Sequence, residues 1–222
     1  MVGTDSVRVD GLLAAGQLRC PDCGGRLRPW GHARSRAVRG EHGAVRRHPR
    51  RSRCSGCGRT HVLLAASMLL RRADGVAVIG AALLAKAAGA GHRTIAAGNG
   101  RPASTVRGWL RRFGCRAEQL RVLFTGLLHA LDPSAGSLLP TGSALSDALA
   151  AVGAAAAAAV RLFGPRCPWQ FTAAASGGLL LAAGSVVRRG EQHELTLGSA
   201  CPARQPRGGD HDGWSPPSWR RR

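Results

Sequence analysis

Apolar residues along this chain change their spacing near residue 74. Before that point they come in short runs: "RLRPW" (26–30) and "RTHVLL" (59–64) read as short strands. The Arg-rich "VRRHPRRSR" between them reads as a strand or loop interrupted by Pro49. Residues 1–19 form a leader, with one helical turn expected around Leu12 and Leu13. After residue 74 the spacing becomes helical. Asp74 is placed to cap "GVAVIGAALLAKAAG", with Val78, Leu83 and Leu84 as its apolar stripe and Gly89 as its stop. "AEQLRVLFTGLLHAL" repeats Leu120, Leu123, Phe124, Leu127, Leu128 and Leu131 at helical intervals until Asp132-Pro133 ends it.

A linker, "SAGSLLPTGS", follows. Then "ALSDALAAVGAAAAAAVRLF" and "PWQFTAAASGGLLLAAG" predict two helices broken at Gly164-Pro165, their small residues permitting close packing. The run "ALAAVGAAAAAAV" is too short and too weakly apolar for a span of about 20 residues, and Arg161 closes it. From about residue 184 the chain is rich in Pro, Gly and mixed charge, which predicts a disordered basic tail over 184–222.

The stretch "GHRTIAAGNGRPASTVRGWLRRF" (91–113) holds two helices and a tight turn. Ile95 and Ala96 are the expected buried positions of the first, and Ala96 is small enough to let the second approach closely. Gly100 falls at the turn, where a positive φ is commonly needed, and Pro102 is tolerated in the first turn of the next helix. Val106, Trp109 and Leu110 share one face, while Ser104, Arg107, Gly108 and Arg111 look outward. That spacing is the spacing of a helix-turn-helix, the competing reading being an ordinary helical hairpin with a wet basic face.

Charge favours the first reading. Of a formal +20, residues 1–130 carry +17, from 23 Arg and Lys against 6 acids. Lys86 is the only lysine, a pattern expected of GC-rich coding, but coding bias does not explain why acids are scarce. A surface with one sign of charge draws polyanions, DNA first among them. The residues assigned to DNA are Arg93, Thr94, Ser104, Thr105, Arg107, Arg111 and Arg112 on the helix pair. Arg46, Arg47, Arg50, Arg51 and Arg53 are assigned to phosphates.

Two CxxC pairs, Cys20/Cys23 and Cys54/Cys57, are separated by thirty residues. A CxxC turn offers two thiolates to one tetrahedral ion, and Gly24 and Gly58 supply the backbone freedom that each turn requires. Zn2+ is the expected cofactor, bound by these four cysteines. Four unrelated thiols would not produce two matched pairs each followed by Gly. A thioredoxin-like role lacks the βαβ context. His32, His42, His48 and His61 are not needed as ligands and are expected to face solvent or phosphate. Cys115, Cys167 and Cys201 read as ordinary thiols.

Through these segments residues 20–131 resemble an actinobacterial family of small proteins that combine a zinc ribbon with a helix-turn-helix. The family is similar to the N-terminal DNA-binding region of insertion-sequence transposases. The resemblance rests on "CPDCGGRLRPWGHARSRAVR", "RRSRCSGCGRTHVLL", "VIGAALLAKAAGAGHRTIAAG" and "GRPASTVRGWLRRF", about half the chain. It implies zinc and DNA binding. Similar sequences place an acidic or polar residue and then Leu where this chain has Gly98 and Asn99, so the first helix of the pair is expected to end a turn early.

The expected fold is mainly α with a small β zinc ribbon: leader 1–19, zinc ribbon 20–66, helix-turn-helix domain 72–131, linker 132–143, Ala-rich helical pair 144–183, tail 184–222. The acids after residue 131 (Asp132, Asp147, Glu191, Glu194, Asp210 and Asp212) form no metal-binding nuclease pattern, so no enzymatic activity is expected. No export signal is evident in the N-terminal residues. The expectation is therefore a cytoplasmic, nucleoid-associated DNA-binding protein, a regulator or an orphan transposase-like one. It would pair with itself through the C-terminal helices and take no small-molecule substrate and no membrane. The alternative is a zinc-ribbon adaptor that binds a protein partner.

Overall fold

The computed structural model describes residues 2–3 and 6–182; the proposed tail, with Cys201, Glu191, Glu194, Asp210 and Asp212, lies outside the described residues. The described part is mainly helical with small antiparallel sheets. Its β part comprises β1 (Val2–Gly3), β2 (Leu27–His32), β3 (Arg36–Gly40), β4 (Gly43–Arg47), β5 (Arg50–Cys54) and β6 (Thr60–Ala65). The four-stranded sheet has the order β1-β6-β5-β2, with β1 parallel to β6 and the other pairs antiparallel. β3 and β4 make a separate hairpin turning at Glu41 and His42.

The leader is more structured than its composition predicts. Helix α1 (Ser6–Ala14) has nine residues, not one turn, because Leu13 is buried with Leu27, Leu63 and the thiols Cys20 and Cys54. Pro49 does interrupt the Arg-rich run. β4 ends before it and β5 begins after it, and its carbonyl accepts the amide of Ala33.

The helices are α2 (Val76–Ala87), α3 (His92–Asn99), α4 (Ala103–Gly114), α5 (Ala117–Leu131), α6 (Ala144–Phe163) and α7 (Pro168–Ala175). One apolar core joins them, built on Ile79, Leu83, Ile95, Val106, Trp109, Phe113, Leu120 and Phe124. Leu84, expected in the α2 stripe, is instead 53% exposed; Ile79 and Ala82 take the inner face with Val78 and Leu83. α6 lies along α5, and apart from Leu149 and Val152 its buried residues are alanines, short side chains that let the axes come close.

α6 runs twenty residues to Phe163, the segment the sequence predicts, and Arg161, which follows the apolar run 148–160, pairs with Asp132 at 2.8 Å. Among the described residues α6 is the one helix long and apolar enough, by length and composition, to cross a membrane, with 44% of its most apolar window buried. The stretch expected to form the last helix is helical only to Ala175. Gly177 and Gly178 adopt positive φ, and the chain turns so that Leu180 and Leu181 enter the core. Arg72 and Arg116 donate to the carbonyls of Leu181 and Ala182 and hold that segment; burial lowers the pKa of both guanidiniums.

Candidate metal and nucleic-acid sites

The two CxxC turns are built alike. In each, the glycine after the second cysteine has φ +71 and donates its amide back to the first cysteine's carbonyl, Gly24 to Cys20 at 2.9 Å and Gly58 to Cys54 at 3.1 Å. The four Sγ atoms converge to within 4.8 Å of one another. Cys20 and Cys57 are 3.8 Å apart and Cys23 and Cys54 3.4 Å. A tetrahedron with metal–sulfur bonds of about 2.3 Å has edges of about 3.8 Å, so the spacing suits a zinc-sized ion. Gly25 closes the cradle, since a Cβ there would lie 2.9 Å from Cys54 Sγ and 3.3 Å from Cys23 Sγ. The cluster can hold a metal ion and is compatible with zinc.

Electrostatics differ between the thiols. The amide of Cys57, helped by those of Gly56 and neighbouring thiols and opposed by burial, pulls Cys54 down to about 6. Cys23 receives the amide of Gly25, but the hydrogen bonds its own thiol donates to Cys54 and Cys57, with burial, outweigh it and push Cys23 up to about 12. His61, expected to face solvent or phosphate, instead sets Nε2 3.3 Å from Cys20 Sγ. Arg59 bridges the turns by pairing with Asp22 at 3.1 Å. Cys167 is a free, half-buried thiol.

α3 and α4 pack at a tight turn. α3 does not end early: it includes Gly98 and Asn99, and Gly100 (φ 59) then reverses the chain. The amides of Gly100 and Arg101 return to the carbonyls of Ala97 and Ala96, the pattern of a Schellman cap. Arg101 braces the turn, its Nη1 donating to the carbonyls of Asn99 and Gly100, 3.2 Å each. Pro102 sits just outside α4, its carbonyl taking the amides of Thr105 and Val106. α4 buries Val106, Trp109 and Phe113, with Leu110 half-buried, and exposes Ser104, Arg107 and Arg111 in one stripe.

Among the other expected contacts, Arg93 and Thr94 are exposed on α3, and Arg46 and Arg47 on β4. Thr105, Arg51 and Arg112 are half-buried, and Arg112 donates to the Gly108 carbonyl. Arg50 is engaged by Asp10 at 2.9 Å, and Arg53 lies over the Trp30 ring.

The role expected of Asp74 is not the one it plays. It does not cap α2, whose N-cap is Gly75 without a side-chain bond. Its buried carboxylate instead takes Arg101 Nε at 2.6 Å and Arg39 Nη2 at 2.9 Å. Backbone bonds from Arg39 to Ala73 and from Gly75 to Arg39 reinforce this clamp between β3 and the α3–α4 turn. Its signal was an isolated acid among arginines, which a cap explains equally well.

No family model matches the chain, and no curated protein or solved structure matches it either.

Proposed function

We propose that this is a zinc-dependent DNA-binding protein. In this reading Cys20, Cys23, Cys54 and Cys57 hold zinc and so fold an Arg-rich ribbon, and α3–α4 acts as a helix-turn-helix with α4 in the major groove. The observation that carries it is the division of α4, with Val106, Trp109 and Phe113 buried and Ser104, Arg107 and Arg111 outward beyond a left-handed glycine turn. A short hydroxyl and two guanidiniums in one stripe suit base edges and phosphates alike. The exposed Arg46 and Arg47 add phosphate contacts. The likeness to the DNA-binding region of insertion-sequence transposases belongs to the same proposal, as do a regulatory or transposition-related role and pairing of copies through the C-terminal helices.

The test is selection of bound duplexes from a random pool with the zinc-loaded full chain. An enriched motif, with affinity falling steeply as salt rises, is the expected result. Binding without any enriched motif would overturn sequence reading by α4. No salt-sensitive DNA binding at all would leave the protein-adaptor reading.

A further inference from the structure

The outer face of the β2–β5–β6 sheet has no part in the reading of α4 given above. Its register is explicit: Arg28 stands opposite Arg53, and Arg53 opposite Thr60, so these three side chains share one face. Leu27 and Cys54, paired one position along, point to the buried side. Trp30 belongs to the outer face, because the Arg53 guanidinium lies 4.9 Å over its ring. Trp30 is 51% exposed, on the edge strand of the sheet. β2, β5 and β6 contain no carboxylate, and the nearby Asp10 and Asp22 are already held by Arg50 and Arg59.

An exposed indole stacked with one arginine and flanked by a second is a surface with two chemistries. The flat ring offers stacking to another π-system, and the guanidiniums offer charge to phosphate. A base inside a duplex is already stacked on both sides, so a ring of this kind meets only a base that has left the stack.

We propose that this face binds single-stranded DNA, with an unpaired base stacked on Trp30 and the flanking phosphates on Arg28 and Arg53. The proposal rests on the DNA-binding reading and extends it, since the preferred target then carries an unpaired segment beside the duplex that α4 reads. A peptide partner is less favoured, because an all-cationic rim with no acceptor side chain but Thr60 matches a phosphate backbone better than a mixed polypeptide surface.

The test compares binding of the zinc-loaded full chain to three labelled oligonucleotides by fluorescence anisotropy. They are a 12-nucleotide single strand, the same strand with central abasic sites, and a 20-base-pair duplex. The abasic strand keeps every phosphate and removes only the bases. The wild type is expected to prefer the intact strand about tenfold, within the range of one base–aromatic stack. Trp30→Ala should bring that ratio close to one, Trp30→Phe should keep most of it, and duplex affinity should stay within about twofold. Equal binding of intact and abasic strands by the wild type, with duplex binding retained, would overturn the stacking proposal and leave the DNA-binding reading standing. A parallel loss on all three ligands in Trp30→Ala would make Trp30 structural and overturn it as well. The RNA strand of the same sequence is titrated as a control, and tighter binding of it would overturn the commitment to DNA. Failure to bind any of the three would overturn both readings.

Discussion

Arg101 Nε donates to Asp74 Oδ1 at 2.6 Å, and the carboxylate that receives it has a side chain only 4% exposed. The second oxygen of Asp74 takes Arg39 Nη2, so one acid ties the β3–β4 hairpin to the turn between α3 and α4. Arg101 is the better covered of the two arginines, at 16% against 45%. Removing the acid therefore leaves a largely enclosed guanidinium without its counter-charge. Asp74→Asn should cost about 3 kcal/mol, the lower end for breaking a buried pair. Arg39→Ala should cost less than about 1 kcal/mol, since its side chain is half in water. Urea denaturation of the two variants separates these values, and near-equal losses would refute the ranking.

Gly80 is where α2 admits α7. A Cβ built on it would fall inside the Trp169 indole. Alanine gains about 1 kcal/mol over glycine in a helix. Displacing a packed ring costs roughly 1–3 kcal/mol, so the sign is decided by the indole. Gly80→Ala should destabilise the protein, and the same change in a Trp169→Ala background should be neutral or stabilising. A destabilisation of equal size in both backgrounds would show that the ring is not the obstacle.

The metal cluster makes a prediction that does not touch a ligand. Gly25→Ala places a methyl against Cys54 Sγ and Cys23 Sγ. It should weaken zinc binding roughly tenfold, as changes just outside a ligand set do. Competition with a chromogenic chelator gives the affinity directly. Cys54→Ser should do more and should loosen the β sheet, because Cys54 also packs with Leu13, Leu27 and Leu63. Unchanged zinc affinity in Gly25→Ala would mean that the cradle yields without penalty.

How much of this could be read in the sequence depended on how many apolar side chains each element buries. α4, α5 and α6 bury regular stripes, so their spacing placed them well. β3 and β4 bury Val38 alone between them, and an arginine-rich hairpin with one inward residue leaves almost no pattern to read. α1 was underestimated because Leu13 is covered by residues far along the chain. The cysteine quartet was legible because its spacing is local chemistry. The Asp74 clamp and the Arg53–Trp30 contact were not, because each joins side chains brought together only by the fold. Part of the positive charge is also structural: Arg72, Arg101 and Arg116 serve the interior rather than a polyanion.

Asp147 gives the pH dependence. Its carboxylate accepts the amide and the hydroxyl of Thr141, at 2.6 and 2.7 Å, and these bonds hold its pKa below the usual carboxylate range. A depressed folded-state pKa contributes stability that is present above the unfolded value, about 3.9, and is lost as pH falls through the folded value. Asp147→Asn should thus lower stability at neutral pH slightly and flatten the fall below about pH 4. Acid unfolding curves for the two proteins should converge at low pH, and parallel curves would contradict the assignment.

The outward stripe of α4 and the arginines of β4 should fail differently when changed. Arg107 stands between Ser104 and Arg111 on the exposed face of a helix fixed by Val106, Trp109 and Phe113. If that face reads base edges, Arg107→Ala removes discrimination at one position, about 1–3 kcal/mol against the wrong base, while general affinity falls less. Arg46 and Arg47 lie on a strand exposed throughout. As phosphate contacts they carry no sequence information, so Arg46→Ala with Arg47→Ala should weaken binding to all duplexes alike. Each lost contact should also reduce the salt slope by about one. Titrations of a selected and a scrambled duplex at several salt concentrations distinguish the two patterns. Uniform weakening by Arg107→Ala, with specificity unchanged, would move α4 from the base edges to the backbone.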